Sequence, residues 1–233
     1  DYVDLNDPTY LPSATNAFTF GGTPYAVGAV ATPVVIYYNV DLFENNGLDL
    51  PRDLYEAGEW DWEAFREAAM ALTYDSDNNG ENDVFGFGFW DTDYVHFLAS
   101  NGTANLIYNE DGTISTGYLT EAGIETMTFL QNAYTVDKYM YASASGDDFV
   151  AGFNNGKLGM TMEYGFAYMN KAQNGDFDFA VDWVPMPRGP KMDVNTGMCA
   201  LTGWGIGITS ANPTAAANFI KMSCEMEAEF ANK

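Results

Sequence analysis

The sequence predicts an α/β fold, and three observations carry that expectation. Segments with helical periodicity alternate with short β-branched and aromatic runs along the chain. One of those runs, ATPVVIYYN at residues 31–39, has the composition of a buried strand. The 233 residues are 47% apolar and 15% aromatic, which suits a folded chain with one large or two modest domains.

The elements follow in order. Residues 1–22 are polar and are expected to be irregular. After the strand at 31–39, DLFENNG reads as a short helix stopped by Gly47. In WDWEAFREAAMALT, Asp61 suits an N-cap, and Trp62, Phe65, Ala69 and Leu72 recur on one helical face. VFGFGF is expected to be a strand, TDYVHFLASNG a helix ended at Asn101-Gly102, and NEDGT a turn. LTEAGIETMTFLQNAY predicts an amphipathic helix with Leu119, Ile124, Met127, Phe129 and Leu130 on its buried face. DDFVAGFNNG reads as a helix closed by Gly156, KLGMTME as a strand, GFAYMNKA as a helix, FDFAVDWVPMP as a strand ended by its prolines, and GWGIGITS as a further strand. NPTAAANFIKMSCEMEAEF is the last helix, with Pro213 in its first turn.

Charge narrows the function classes. With 33 acids against 9 bases, the formal net charge is −24. Such a surface repels phosphate backbones and anionic lipid, so no nucleic-acid partner is expected. The two cysteines, Cys199 and Cys224, form no metal-ligand or dithiol pattern and are expected to be buried thiols rather than a disulfide. No run approaches the ~18 apolar residues of a membrane span. The chain starts DYVDLND, without initiator Met or signal peptide, and is expected to be processed or part of something longer.

The stretch DSDNNGENDVFGF looks like the start of a calcium loop. Asp75, Asp77, Asn79 and Asp83 fit alternate liganding positions, Gly80 suits the sharp turn, and Glu81 would offer its carbonyl. Gly86 stands where an EF-hand places a bidentate Glu, and a strand follows instead of a helix. Two readings stay open: a structural calcium site and a solvated Asx-rich turn. No cofactor is otherwise expected.

Four segments, in order, resemble the extracellular solute-binding proteins of ABC importers, family 1, the class that includes maltodextrin-binding protein. They are GGTPYAVGAVATPVVIYYNVDLFENNGL, EWDWEAFREAAMALTYDSDNNGENDVFGF, FVAGFNNGKLGMTMEYGFAY and TGWGIGITSANPTAAANFIKM. The resemblance implies a periplasmic-binding-protein-like (type II) fold, mostly its second lobe plus a strand and helix returning to the first. Residues 1–193 would form the second-lobe domain with a hinge-side N-terminal segment, and 194–233 the crossover. It further implies a sugar or oligosaccharide ligand, ABC permease subunits as partners, a monomer in full-length form, and an extracellular, lipid-anchored or periplasmic location.

Sugars present apolar C–H faces ringed by hydroxyls, so their sites need aromatic platforms and short polar groups. FWDTDY follows a predicted strand and offers Trp90, Asp91, Asp93 and Tyr94 in one turn. EYGF follows another and offers Glu163, Tyr164 and Phe166; the resemblance places Phe166 at a stacking position. Gly203 and Trp204 in TGWG, with Thr32 and Tyr25 near the hinge-side strand, complete the candidates. His96 reads as structural. The competing functions are a calcium-stabilised adhesion module and a glycoside-acting enzyme using carboxylates such as Asp91 and Glu163. Capture without catalysis is the expectation.

Overall fold

The computed structural model describes residues 2–90, 92–141, 146–165 and 167–231. The chain packs as two compact units, 1–33 with 199–233, and 34–198. The sequence reading divides the chain at 193/194; by packing, residues 1–33 group with 199–233.

In chain order the elements are α1 (Pro12–Ala17), β1 (Thr19–Phe20), β2 (Thr23–Pro24), β3 (Ala31–Asn39), α2 (Val40–Asn45), α3 (Pro51–Glu56), α4 (Trp62–Ala71), β4 (Phe85–Gly88), α5 (Val95–Ser100), β5 (Leu106–Tyr108) and β6 (Ile114–Thr116). A 3-10 turn (Gly117–Leu119) then leads to α6 (Glu121–Thr135), α7 (Gly146–Asn154), β7 (Leu158–Tyr164), α8 (Met169–Asn174), β8 (Val181–Pro185), β9 (Cys199–Leu201) and α9 (Pro213–Ala231).

The large unit is built on a sheet of order β4-β7-β3-β8. β3 runs antiparallel to both β7 and β8, and β4 runs parallel to β7, so β4, β7 and β8 end at the same edge. Residues 34–39 of β3 are all buried because both faces of the sheet are covered. Val34, Ile36 and Tyr38 point into one core with Trp60, Phe65 and Leu130. Val35 and Tyr37 point into the other with Phe153, Leu158 and Tyr168.

Helix α4 seats the first core. Asp61 caps it, its Oδ1 accepting from the N–H groups of Glu63 and Ala64 at 3.1 Å. Trp62, Phe65, Ala69 and Leu72 are buried, as their spacing predicts. The Phe65 ring stands edge-on to Phe87 at 4.8 Å and touches Trp60, Phe97 and Tyr139. Gly86 lets β4 approach this closely, because a Cβ there would collide with the Ala69 carbonyl.

Several expectations need correction. Helix α6 buries Gly123, Thr126, Leu130 and Ala133, whereas Leu119, Ile124 and Met127 are exposed. The reason is steric: Gly123 packs against the Gly117 carbonyl, which turns the small residues inward and leaves Phe129 half-buried. GWGIGITS is not a strand. Trp204 makes an isolated bridge to Val27, Ile208 is fully exposed, and the strand lies earlier, at β9. Alternating glycines leave that segment without the side chains a strand needs to pack. Residues 1–22 hold α1 and β1, where irregular chain was expected, and α3 begins at a helix-start proline, Pro51.

In the small unit, the first residues of β3 pair with β9, Ala31 opposite Leu201 and Pro33 opposite Cys199. Tyr10, Val27, Ala29, Ile220 and Cys224 form its core. Both cysteines are free; Cys224 is buried as expected, but Cys199 is exposed. Among the described residues, no helix is long and apolar enough to cross a membrane.

Phe65 contacts the rings of Trp60, Phe87, Phe97, Phe129 and Tyr139 and is fully buried. Phe65→Ala is expected to cost about 3–5 kcal/mol through lost burial and a cavity, read as a lower urea midpoint with unchanged slope.

Candidate ligand-binding site

The parallel pairing of β4 and β7 sets the site. Gly88 lies opposite Thr161 in the register. Two residues further along each strand, Trp90 and Glu163 meet, and the indole Nε1–H donates to Glu163 Oε1 at 3.2 Å. Trp90 is 37% exposed and stands beside a half-buried carboxylate. This is the carboxyl end of the parallel strands, where α/β sheets hold their ligands.

Burial raises the Glu163 carboxyl above its ordinary value of 4.5, and the Asp93 charge adds to the effect. The Tyr164 and Trp90 N–H groups oppose it. Asp93 is held by its own turn: its N–H donates to the Trp90 carbonyl at 2.9 Å, and its carbonyl accepts from the His96 N–H at 3.0 Å. Tyr94 is half-buried against the large core, and its hydroxyl accepts from the Tyr118 hydroxyl at 3.2 Å. Tyr164 packs against the same core. Asp91 and Phe166 lie outside the described residues.

Sequence reasoning missed the residues behind these. Tyr118 reaches Tyr94 from the turn after β6, and burial pushes its hydroxyl up to about 12. No spacing pattern joins positions 94 and 118. On the Glu163 face of β7, Thr161 sits opposite Tyr37, whose ring meets Tyr168 edge-on at 5.1 Å. The Tyr37 hydroxyl donates to the Gly165 carbonyl at 2.8 Å and so braces the turn after Glu163. The hydroxyls of Thr161 and Tyr168 are buried, with no hydrogen-bond partner among the described residues. His96 is buried, and burial lowers its pKa.

Thr32, Gly203 and Trp204 belong to the small unit, and packing explains them there. Thr32 pairs with Ala200 in the β3–β9 ladder. A Cβ on Gly203 would collide with the Phe18 ring, so this glycine serves close packing. Trp204 exchanges backbone hydrogen bonds with Val27, stands edge-on to Phe219 at 5.9 Å, and donates its Nε1–H to Glu227 at 3.1 Å. Tyr25, 65% exposed, lines a cavity of about 380 Å³ together with Trp204 and Ile220.

The acidic loop closes on itself. Asp75 accepts from the N–H groups of Asn79 and Gly80 at 3.2 and 2.7 Å. Asp77 accepts from the N–H and side chain of Asn79, and Asn79 accepts from the Glu81 N–H. Asp83 accepts from Ser76 and from Lys157 at 2.6 Å, and Lys157 above all holds its carboxyl well below the usual range. Gly80 supplies the positive φ of +96° that the turn demands. Among the described residues, no three His, Cys, Asp or Glu side chains are grouped to hold a metal ion. The loop's oxygens accept from its own N–H groups and from Lys157.

The raised carboxyl of Glu163 has a definite thermodynamic sign. The folded chain holds this proton more tightly than the unfolded chain does, so Glu163 costs stability as pH rises from about 4.5 through its folded value. Glu163→Gln is expected to remove that fall, read as a flatter dependence of Tm on pH above about 4.5.

Comparisons with known proteins agree with this architecture. The model of a family described as bacterial extracellular solute-binding protein matches residues 1–225. The ABC substrate-binding protein of Listeria monocytogenes, solved in complex with cycloalternan, is similar at 23% identity and a TM-score of 0.68, covering 95% of this chain and 53% of that one. The maltose/maltodextrin-binding domain of Bdellovibrio bacteriovorus, bound to maltotriose, is similar at 18% identity and a TM-score of 0.67, covering 91% and 52%. The maltose-maltodextrin binding protein of Alicyclobacillus acidocaldarius is similar at 20% identity and a TM-score of 0.67, covering 96% and 55%. The chain thus spans about half the length of these proteins and shares their fold. No curated protein sequence matches it. With the family model spanning nearly its whole length, the chain belongs to the bacterial extracellular solute-binding proteins.

Proposed function

We propose that this chain forms part of a saccharide receptor for an ABC importer, capturing a sugar or oligosaccharide outside the cytoplasm and handing it to the permease. The observation that carries the reading is the Trp90 indole hydrogen-bonded to Glu163 at the carboxyl end of β4 and β7. The indole face suits the C–H face of a pyranose, and the carboxylates of Glu163 and Asp93 suit its hydroxyls, since charge-assisted hydrogen bonds are the strong ones. The sugars named for the solved relatives support this ligand class.

The mechanism is clamp closure. The ligand binds the closed arrangement of the full-length protein better than the open one and so shifts the population toward the form the permease recognises. Asp91 and Phe166 join the ligand face in this reading, as the sequence resemblance implies. The ligand leaves unchanged, without bond cleavage. A lipid-anchored or periplasmic location suits this role. The acidic loop is, in our reading, a self-closed turn joining α4 to β4.

Two outcomes are expected. In calorimetry with maltotriose, Trp90→Ala weakens binding by about tenfold or more, as loss of a central aromatic platform does. Equal affinity for the variant would remove Trp90 from the site. For the loop, millimolar calcium and chelator give the same Tm, whereas a calcium-dependent rise would restore the metal reading.

A further inference from the structure

A cavity of about 670 Å³ opens beside the start of α4, lined by residues of α4 and α6 and of the segment after β8. Neither Trp90 nor Glu163 lines it. Its size is that of a small-molecule site. One wall is apolar: the rings of Trp62 and Phe129 stack at 4.4 Å with 20° between planes, and Pro190 and Met192 continue the surface.

The polar groups around it are unevenly satisfied. Arg66 is committed, gripping Asp137 in a two-pronged pair at 2.7 and 2.8 Å. Arg188 is not. Its nearest acidic partner, Asp61 Oδ2, stands 3.7 Å away, beyond hydrogen-bond distance, and its guanidinium makes no hydrogen bond among the described residues. A guanidinium carries five donors in a fixed fork, and the Arg188 side chain as a whole is 25% exposed. Asp61 Oδ1 is occupied capping α4, which leaves Oδ2 facing Arg188. Glu125 uses Oε2 on Asn101 and keeps Oε1.

These groups select a ligand class. Four carboxylates, on Asp61, Glu63, Glu125 and Asp193, line the cavity against two guanidiniums, one of them neutralised by Asp137. A phosphate or carboxylate ligand would meet net repulsion. A cationic amine would find the carboxylates but, having only donors, would leave Arg188 without an acceptor. A neutral polyol offers hydroxyl donors to the carboxylates, hydroxyl acceptors to Arg188, and C–H groups to the apolar wall.

We propose that this cavity is a second binding site, for a neutral polyhydroxylated ligand of mono- or disaccharide size, separate from the Trp90–Glu163 face. It provides a contact for a saccharide outside the main grip, with Arg188 as its orienting residue.

The test uses maltose as the probe and two-dimensional NMR of the whole chain, with the side-chain N–H signals of Arg188, Trp62 and Trp90 read separately. The expected result is a saturable shift of the Arg188 and Trp62 signals that persists in Trp90→Ala; in Arg188→Ala the Trp62 signal is expected to report an affinity weakened by about tenfold. Asp193→Ala, an exposed position, serves as the second variant and is expected to weaken the same signals. Maltose that leaves the Arg188 and Trp62 signals of wild type unmoved overturns the proposal, as does an unchanged affinity in both cavity variants. Movement of the Trp90 signal alone would support the main site and reject this one; movement of the cavity signals alone would do the reverse.

Discussion

The structure of the large unit depends on one strand pairing. β7 lies between β4 and β3, parallel to the first and antiparallel to the second. The register of β4 on β7 brings Trp90 to Glu163, and the register of β3 on β7 puts Tyr37 beneath the turn that follows. A slip of one residue would send each of these side chains to the opposite face. Glycine secures the register: Gly86 lies where only hydrogen fits against the Ala69 carbonyl, and Gly159 accommodates Leu72 from α4. The core that fixes the fold therefore also aims the candidate site.

That arrangement places a polar, partly buried edge on an apolar body. Glu163 is held by two N–H groups while burial penalises its charge, so its proton affinity and its hydrogen bonding pull in opposite directions. The tyrosines behind it, Tyr37 and Tyr168, bring hydroxyls into the same buried layer. Such a layer is stiff in its rings and costly in unsatisfied polar groups, which suits a site kept ready for a ligand bearing many hydroxyls.

Much of this was legible in the sequence, and the failures share a cause. β3 was readable because a strand covered on both faces shows a continuous apolar run. α4 was readable because its cap and its apolar stripe agree. The Trp90 turn was readable as polar and aromatic groups just after a strand, whereas Glu163, expected just after one, lies within the last residues of β7. The buried face of α6 was not, because it is chosen by the contact of Gly123 with a turn six residues earlier, and apolar periodicity pointed to the larger side chains. Gly203 invited a ligand reading, yet its neighbour is Phe18, a contact between distant positions that no local pattern records. Tyr118 was invisible for the same reason. The acidic loop was legible as a tight turn, but the pairing of Asp83 with Lys157 required the fold.

The central claim is that the edge bearing Trp90 and Glu163 is the saccharide-facing surface. A crystal structure of this chain grown with maltotriose tests it most directly. The account predicts sugar density over the Trp90 indole, with a ring hydroxyl within hydrogen-bond reach of Glu163. Well-defined sugar bound elsewhere, with the Trp90 face bare, would contradict it.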